Sequence, residues 1–468
     1  MGAARILPFF LRDKTLKNDI KIKRPASARQ LHRQIGWVAA FVAMAWAITG
    51  FLHPVMSWTA PRPAVQAPPN PGQIGTLPGH SLATMLTKAG QTGTHQVRLV
   101  TFGNRSYWFS SFPGEPRKGV VDALTGVAAP EVENDHAIAL ARHYAALPEA
   151  DIRSVEIVDR FSTEYPEINR LLPVWRVAFD TPEGLAVYVD TGADRLAAVT
   201  DGRRRALLFV FQNVHTLKFL SFAEPLRVAV LAGLILSVIA TSLIGATLLL
   251  KAKGRGLRKA HTLAAWVALP FILTFTLSGM LHLLVTMGPG KVLPPPGVFN
   301  VADLDTPRPG PGSLYGMTAT AGPDGKPVWR IETAGGIAYQ GQAAGYSDAD
   351  RARAIAGAAA DAEVSLVTRF GREYSFANKR LPVLKVAGAN GPVFVDVREG
   401  LIAAAPEKTA LQAAEGWSFD VLHKWELLRP IGTRNRDYLL MTTVAVIFLT
   451  AALGLAIQLW RRRKQPGG

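Results

Sequence analysis

The sequence predicts an α-helical membrane protein: a four-span bundle carrying two extracytoplasmic α+β domains, laid out as a tandem pseudo-symmetric duplication. Three observations predict it. Four apolar runs are each long enough to cross a bilayer, which takes about 20 helical residues at about 1.5 Å apiece. Positive charge is confined to short segments between and outside those runs, and the pattern of the first half recurs in the second.

The spans are expected at residues 35–58, 228–250, 263–287 and 438–460, and none of them contains Asp, Glu, Lys or Arg. Long polar stretches, 59–225 and 288–437, follow the first and third spans. The short segments are strongly basic: nine Lys or Arg in 1–34, five in 251–259 and four in 461–468, which together hold +16 of the formal +17. By the positive-inside rule these three segments are cytoplasmic and both long loops lie on the opposite side. The charge therefore reads as topology, with the lipid bilayer as partner and no nucleic acid. A cleaved signal peptide is a poorer reading of 35–58, because its apolar run exceeds a signal core and no small-residue cleavage site follows cleanly. The chain has no cysteine, which excludes disulfides, Fe–S clusters, thiolate-bound zinc and covalently attached haem.

Within the loops, "VRLVTF", "SYWFSSF", "LPVWRVAF" and "LAVYVD" read as strands, being β-branched or aromatic runs bounded by Gly, Pro or Asp. "ENDHAIALARHYAAL" and "SDADRARAIAGAAADA" read as helices starting near Asn or Ser/Asp caps. Each loop is thus expected to form a small α+β domain of its own. The Pro/Gly-rich stretches "APRPAVQAPPNPGQ" and "GPGKVLPPPG" lead into them as extended linkers.

The duplication is specific. Setting "RQLHRQIGWVAAFVAMAWAITGFLHP" beside "RKAHTLAAWVALPFILTFTLSGMLHL" places His32 on His261, Trp46 on Phe275, Thr49 on Ser278, Gly50 on Gly279 and His53 on His282. In the loops "RFSTEYPEINRLLPVWRV" matches "RFGREYSFANKRLPVLKV", and a third histidine precedes each following span, His215 in "FQNVHTLKFL" and His423 in "FDVLHKWELL". One histidine at a helix end is an ordinary interfacial residue; six at duplicated positions are candidate ligands. His215 and His423 are expected on amphipathic segments along the outer membrane surface, before bends at Pro225 and at Pro430 and Gly432. His80, His95, His136 and His143 have no counterparts and are expected on the surface. Glu164, Tyr165, Glu373 and Tyr374 also repeat, which suits either a fixed turn or a site.

On an ideal helix the 21 residues from His32 to His53 correspond to about 31 Å of rise. One helix therefore cannot offer both to one metal centre. Pairing across the bundle is expected, with His32 and His261 on the cytoplasmic side and His53, His282, His215 and His423 gathered on the other. The pairing among those four stays open.

The His-bracketed spans, "VVDALTG", "VYVDTG" and "LHKWELL" resemble the PepSY-associated transmembrane family of bacterial inner-membrane proteins, over about residues 29–464. The family includes iron-regulated membrane proteins and ferric-siderophore reductases of the FoxB type. The resemblance implies PepSY-like periplasmic domains, haem b in the membrane domain with His32, His53, His215, His261, His282 and His423 as ligands, and a ferric siderophore as periplasmic acceptor. Imidazole is the commonest axial haem ligand, and an apolar slot between helices suits a non-covalent haem. The second loop is shorter between "LPVLKV" and "VFVDV", so the two domains need not share one role.

No strand followed by GxGxxG and a helix occurs, so the expected electron donor is a separate cytoplasmic partner, a diffusible reduced flavin or quinol. Two other readings are a non-enzymatic PepSY anchor binding a peptide, protease or ligand in the periplasm, and a component of a transporter. Both leave the duplicated histidines unused, and the lack of intramembrane charge weighs against proton-coupled transport.

Overall fold

The computed structural model describes residues 27–74, 81–252, 254–286, 293–305, 307, 313–371, 373–389, 391–405 and 409–463. Most of the basic segment 1–34, the end of the tail 461–468, part of the second linker and His80 lie outside the described residues.

The first half runs α1 (Ala28–Trp58), α2 (Leu82–Lys88), β1 (Gly93–Thr94), β2 (Gln96–Phe102), β3 (Arg105–Ser111), β4 (Gly119–Asp122), α3 (Glu131–Ala145), β5 (Ile152–Val158), β6 (Val174–Phe179), β7 (Ala186–Asp190), β8 (Arg195–Thr200), α4 (Gly202–Val210) and α5 (Glu224–Leu249). The second half runs α6 (Leu257–Thr286), β9 (Phe299–Asn300), β10 (Leu314–Ala321), β11 (Pro327–Thr333), β12 (Gly336–Gln340), α7 (Asp348–Ala356), β13 (Val364–Val367), β14 (Val383–Val386), β15 (Val393–Asp396), β16 (Leu401–Ala404), α8 (Ala410–Ser418) and α9 (Thr433–Arg463).

Helices α1, α5, α6 and α9 are long and apolar enough to cross a membrane. Each of α1 and α6 packs on both α5 and α9, closing a ring. Small residues at its centre, Ala47 and Ala268 beside Ile447, let the helices approach closely. The helices outrun the apolar spans: α1 starts at its Ser27 cap, whose side chain accepts from the Gln30 N–H, and α9 continues through Arg461–Arg463. Apolarity marks the hydrocarbon, whereas a helix ends only where its terminal backbone groups find partners.

The loops correct one expectation. They are not two separate domains, because a six-stranded antiparallel sheet in the order β12-β11-β10-β2-β3-β4 takes three strands from each. Two three-stranded meanders join edge to edge through β2 and β10, with Met317 opposite Leu99 and Ala319 opposite Val97. Alone, each would expose a strand edge of unpaired N–H and C=O groups. Trp108 and Trp329, one from each half, meet edge to face at 5.9 Å in the shared core, which α2 covers with Leu82 and Leu86.

Each half also carries its own four-stranded meander with one helix against it, as the sequence led us to expect. Helix α3 packs Ala137, Leu140 and Tyr144 on Trp175, Phe179 and Val187 of the β5–β8 sheet. Helix α7 packs Ala352 on Val386 and Val395 of the β13–β16 sheet. Ser347 and Asp350 form a reciprocal capping box at the start of α7, which stops at Gly357 (φ 61°) rather than running on through the following alanines. Helix α3 starts at Glu131, upstream of the expected asparagine cap.

A buried ion cluster clamps the halves together. Arg195 of β8 bonds Asp396 at the end of β15 and reaches Glu399 at 2.9 Å; Arg380 bonds the same Glu399 at 2.9 Å. Burial first, and then the Glu399 charge, push the Asp190 carboxyl beside this cluster up to about 6. The repeated tyrosines brace turns: the hydroxyls of Tyr165 and Tyr374 donate to the carbonyls of Leu171 and Arg380, both at 2.9 Å. Glu164 and Glu373 are tied to Arg176 and Lys385 on the next strand.

Candidate cofactor site

Chain order puts the amino ends of α1 and α6 and the carboxyl ends of α5 and α9 at one end of the bundle, with both long loops at the other. At the first end His32 of α1 donates from Nδ1 to the backbone carbonyl of Thr241 on α5, at 3.0 Å. His261 of α6 makes the equivalent 3.0 Å bond to the carbonyl of Thr450 on α9. A carbonyl only accepts, so both rings carry their proton on Nδ1 and leave Nε2 as a bare donor atom. Each ring rests on a glycine one turn further along the neighbouring helix. A Cβ added at Gly245 would lie 3.1 Å from Cε1 of His32, and one at Gly454 3.2 Å from Cε1 of His261.

At the loop end, helices α4 and α8 each run into a single π-helical turn, Phe211–His215 and Phe419–His423. The chain then reverses through left-handed residues, Leu217 (φ 50°) and Trp425 (φ 54°). These turns reach inward from the ends of α4 and α8. They dip against α1 and α6, so His215 meets Thr49 and His423 meets Ser278, each about one helical turn deeper than the histidine at the end of that helix. The wider π turn reorients its last side chain towards the bundle.

The hydroxyls decide the tautomers. Thr49 Oγ1 already donates back to the carbonyls of Ala45 and Trp46, and Ser278 Oγ donates to the carbonyl of Phe275. Each hydroxyl therefore accepts from the imidazole, at 2.8 Å for His215 Nδ1 and 3.1 Å for His423 Nδ1. His282 Nδ1 donates to the Glu415 carboxylate at 2.6 Å. Five of the six rings thus have Nδ1–H engaged, which in the neutral imidazole leaves Nε2 as the free donor atom. His53, the sixth, is held by the ring of Phe211 at 5.5 Å. His215 and His423 lie one turn inside His53 and His282 on α1 and α6, so all four sit at the loop end.

An imidazole whose Nδ1–H is fixed by a carbonyl, hydroxyl or carboxylate is oriented and made more basic at Nε2, the arrangement found behind metal-ligating histidines. The donor set fits haem iron, which takes one base on each side. Among the described residues no group of three or more His, Asp or Glu side chains converges on a bare metal ion.

The remaining histidines separate into two kinds. His95 and His143 are half-buried near the surface and bond the carbonyls of Gly297 and Ala67. His136 is not a surface residue: it is buried, with Nε2 2.7 Å from Asp194 Oδ1, and Arg98 holds the same carboxylate. Burial alone would raise the Asp194 pKa, but the Arg98 guanidinium, with His136, draws it well below the usual carboxylate range. Its sequence signal was its place on one four-residue stripe with Leu140 and Tyr144. Sequence reasoning also missed Thr241, Gly245, Thr450 and Gly454, which repeat between α5 and α9 with identical spacing, and Glu415, which has no first-half counterpart.

A scan of protein-family models found no match to the chain, and a search of curated proteins found none either.

Proposed function

We propose that the chain is a haem b-containing reductase of the bacterial inner membrane, of the PepSY-associated transmembrane kind, passing electrons from the cytoplasmic side to a periplasmic ferric siderophore. The observation that carries this reading is the set of five duplicated histidines whose Nδ1–H is engaged and whose Nε2 is left free. His32 and His261 would hold one haem at the basic, cytoplasmic end; His53, His215, His282 and His423 would hold haem at the periplasmic end. When bound, haem supplies reversible one-electron exchange at its iron. The chain's residues do the rest: Thr241, Thr450, Thr49, Ser278 and Glu415 fix the rings, and Gly245 and Gly454 leave room beside them. Reduction frees the cargo because the hard oxygen donors of a siderophore hold Fe(III) far better than Fe(II). Electrons enter from a quinol or from a cytoplasmic donor.

The test is the oxidised and dithionite-reduced visible spectrum of purified protein, with haem quantified, beside His53→Ala and His282→Ala. Stoichiometric b-type haem that falls on substitution is expected. A colourless protein after expression with ample haem would refute the reading and leave a ligand-binding periplasmic anchor in its place.

A further inference from the structure

The two halves differ at one chemically decisive position. Aligning Phe211 with Phe419 and His215 with His423 places Glu415 on Leu207. The Glu415 carboxylate, 15% exposed, accepts from His282 Nδ1 at 2.6 Å, and the ring lies flat on Phe419 with centroids 4.2 Å apart and planes 16° from parallel. In the first half His53 meets Phe211 at 5.5 Å and 53°, with no hydrogen bond to its ring nitrogens among the described residues. A bent contact and an apolar neighbour thus stand where the second half has a stacked ring and a full negative charge. A ring contact or helix register alone would be shared by both halves; the charge is not.

We infer that Glu415 is a positioning residue that sets the His282 centre at a lower reduction potential than the centre served by His53. This inference rests on the haem reading above. A carboxylate on the far nitrogen strengthens the imidazole as a donor and favours the higher-charged, oxidised iron on its other side. The two periplasmic histidine positions are then electronically unequal despite their common origin. Where His53 and His282 serve different haems, the one served by His53 would be reduced first and the one served by His282 would be the stronger reductant.

Potentiometric titration of the purified, haem-loaded full-length protein, followed in the visible bands, tests this. Glu415→Gln keeps an oxygen acceptor and removes the charge. It is expected to shift one haem's reduction equilibrium about tenfold towards Fe(II), equivalent to about 59 mV for one electron, and to leave the other components unmoved. Leu207→Glu is expected to lower the component that Glu415→Gln leaves alone. Haem bound in full with unchanged potentials in Glu415→Gln would overturn the inference while leaving the haem reading intact. Loss of one haem in Glu415→Gln would also overturn it, making Glu415 a structural brace. A wild-type protein without haem would fail at the earlier reading instead.

Discussion

Replacing Gly245 with valine fills the space on which the His32 ring rests. The ideal Cβ at 245 lies 3.1 Å from Cε1 and 3.6 Å from Nδ1 of that ring, so even alanine would push it back by a few tenths of an ångström. The ring is tethered at 3.0 Å to the carbonyl of Thr241, one turn away on the same helix, and cannot retreat without stretching that bond. Overpacking of this kind costs about 1–3 kcal/mol, and freeing a buried imidazole N–H costs about as much again. Together these exceed what a ring held by one hydrogen bond can absorb, so the ring turns away. On the haem reading proposed above, haem per polypeptide is expected to fall in Gly245→Val by the share of the site at the His32 end. Because a Cβ at Gly454 meets His261 at 3.2 Å, Gly454→Val is expected to remove the same chromophore, and the double variant no more. The control lies on the same helix: a Cβ at Gly233 meets nothing within 4 Å, so Gly233→Ala should keep all its haem and gain up to about 1 kcal/mol of helix stability. A full haem complement with an unaltered spectrum in Gly245→Val, or equal loss in Gly233→Ala, would refute the reasoning.

Arg195→Met leaves Asp396 and Glu399 buried beside a reduced positive charge, and should cost about 3–5 kcal/mol in denaturant unfolding at neutral pH; a deficit under about 1 kcal/mol would contradict the clamp. Asp190, raised to about 6, binds a proton in the folded state that the unfolded chain releases near pH 4, so between about pH 4 and 6 stability falls as pH rises. Asp190→Asn should remove that slope and leave the protein at neutral pH as stable, or up to about 2 kcal/mol more stable, by thermal unfolding across pH; a loss of stability at pH 7 would count against it. Thr49→Val strands the His215 N–H and should cost about 1–3 kcal/mol; on the proposed haem reading it should also shift the haem bands without halving haem content, and an unshifted spectrum would disconnect this hydroxyl from the site.

The four spans and the six histidines were legible in the sequence because bilayer thickness imposes apolar runs of fixed length and the duplication printed each histidine twice. Strands such as β2, β3 and β7 were legible from their β-branched and aromatic runs. The partner of a strand was not. The edge of β2 meets β10 more than two hundred residues later, and alternation within a strand carries no trace of what lies beside it. The partners of His32 and His261 are backbone carbonyls, which every residue possesses, so only the glycines one turn on could have marked the place. The dip of His215 depends on one extra residue in a helical turn, which no propensity records.

The six-stranded sheet carries a consequence for the birth of the protein. When β2 leaves the ribosome its outer edge has no partner until β10 has been made, and 212 residues separate Phe102 from Leu314. At about 5–20 residues per second that interval is roughly 10–40 s, spent with an adhesive strand edge unpaired. Carrying both meanders on one chain makes their pairing a wait within a single molecule, and makes this edge the place where a holding factor would act during assembly.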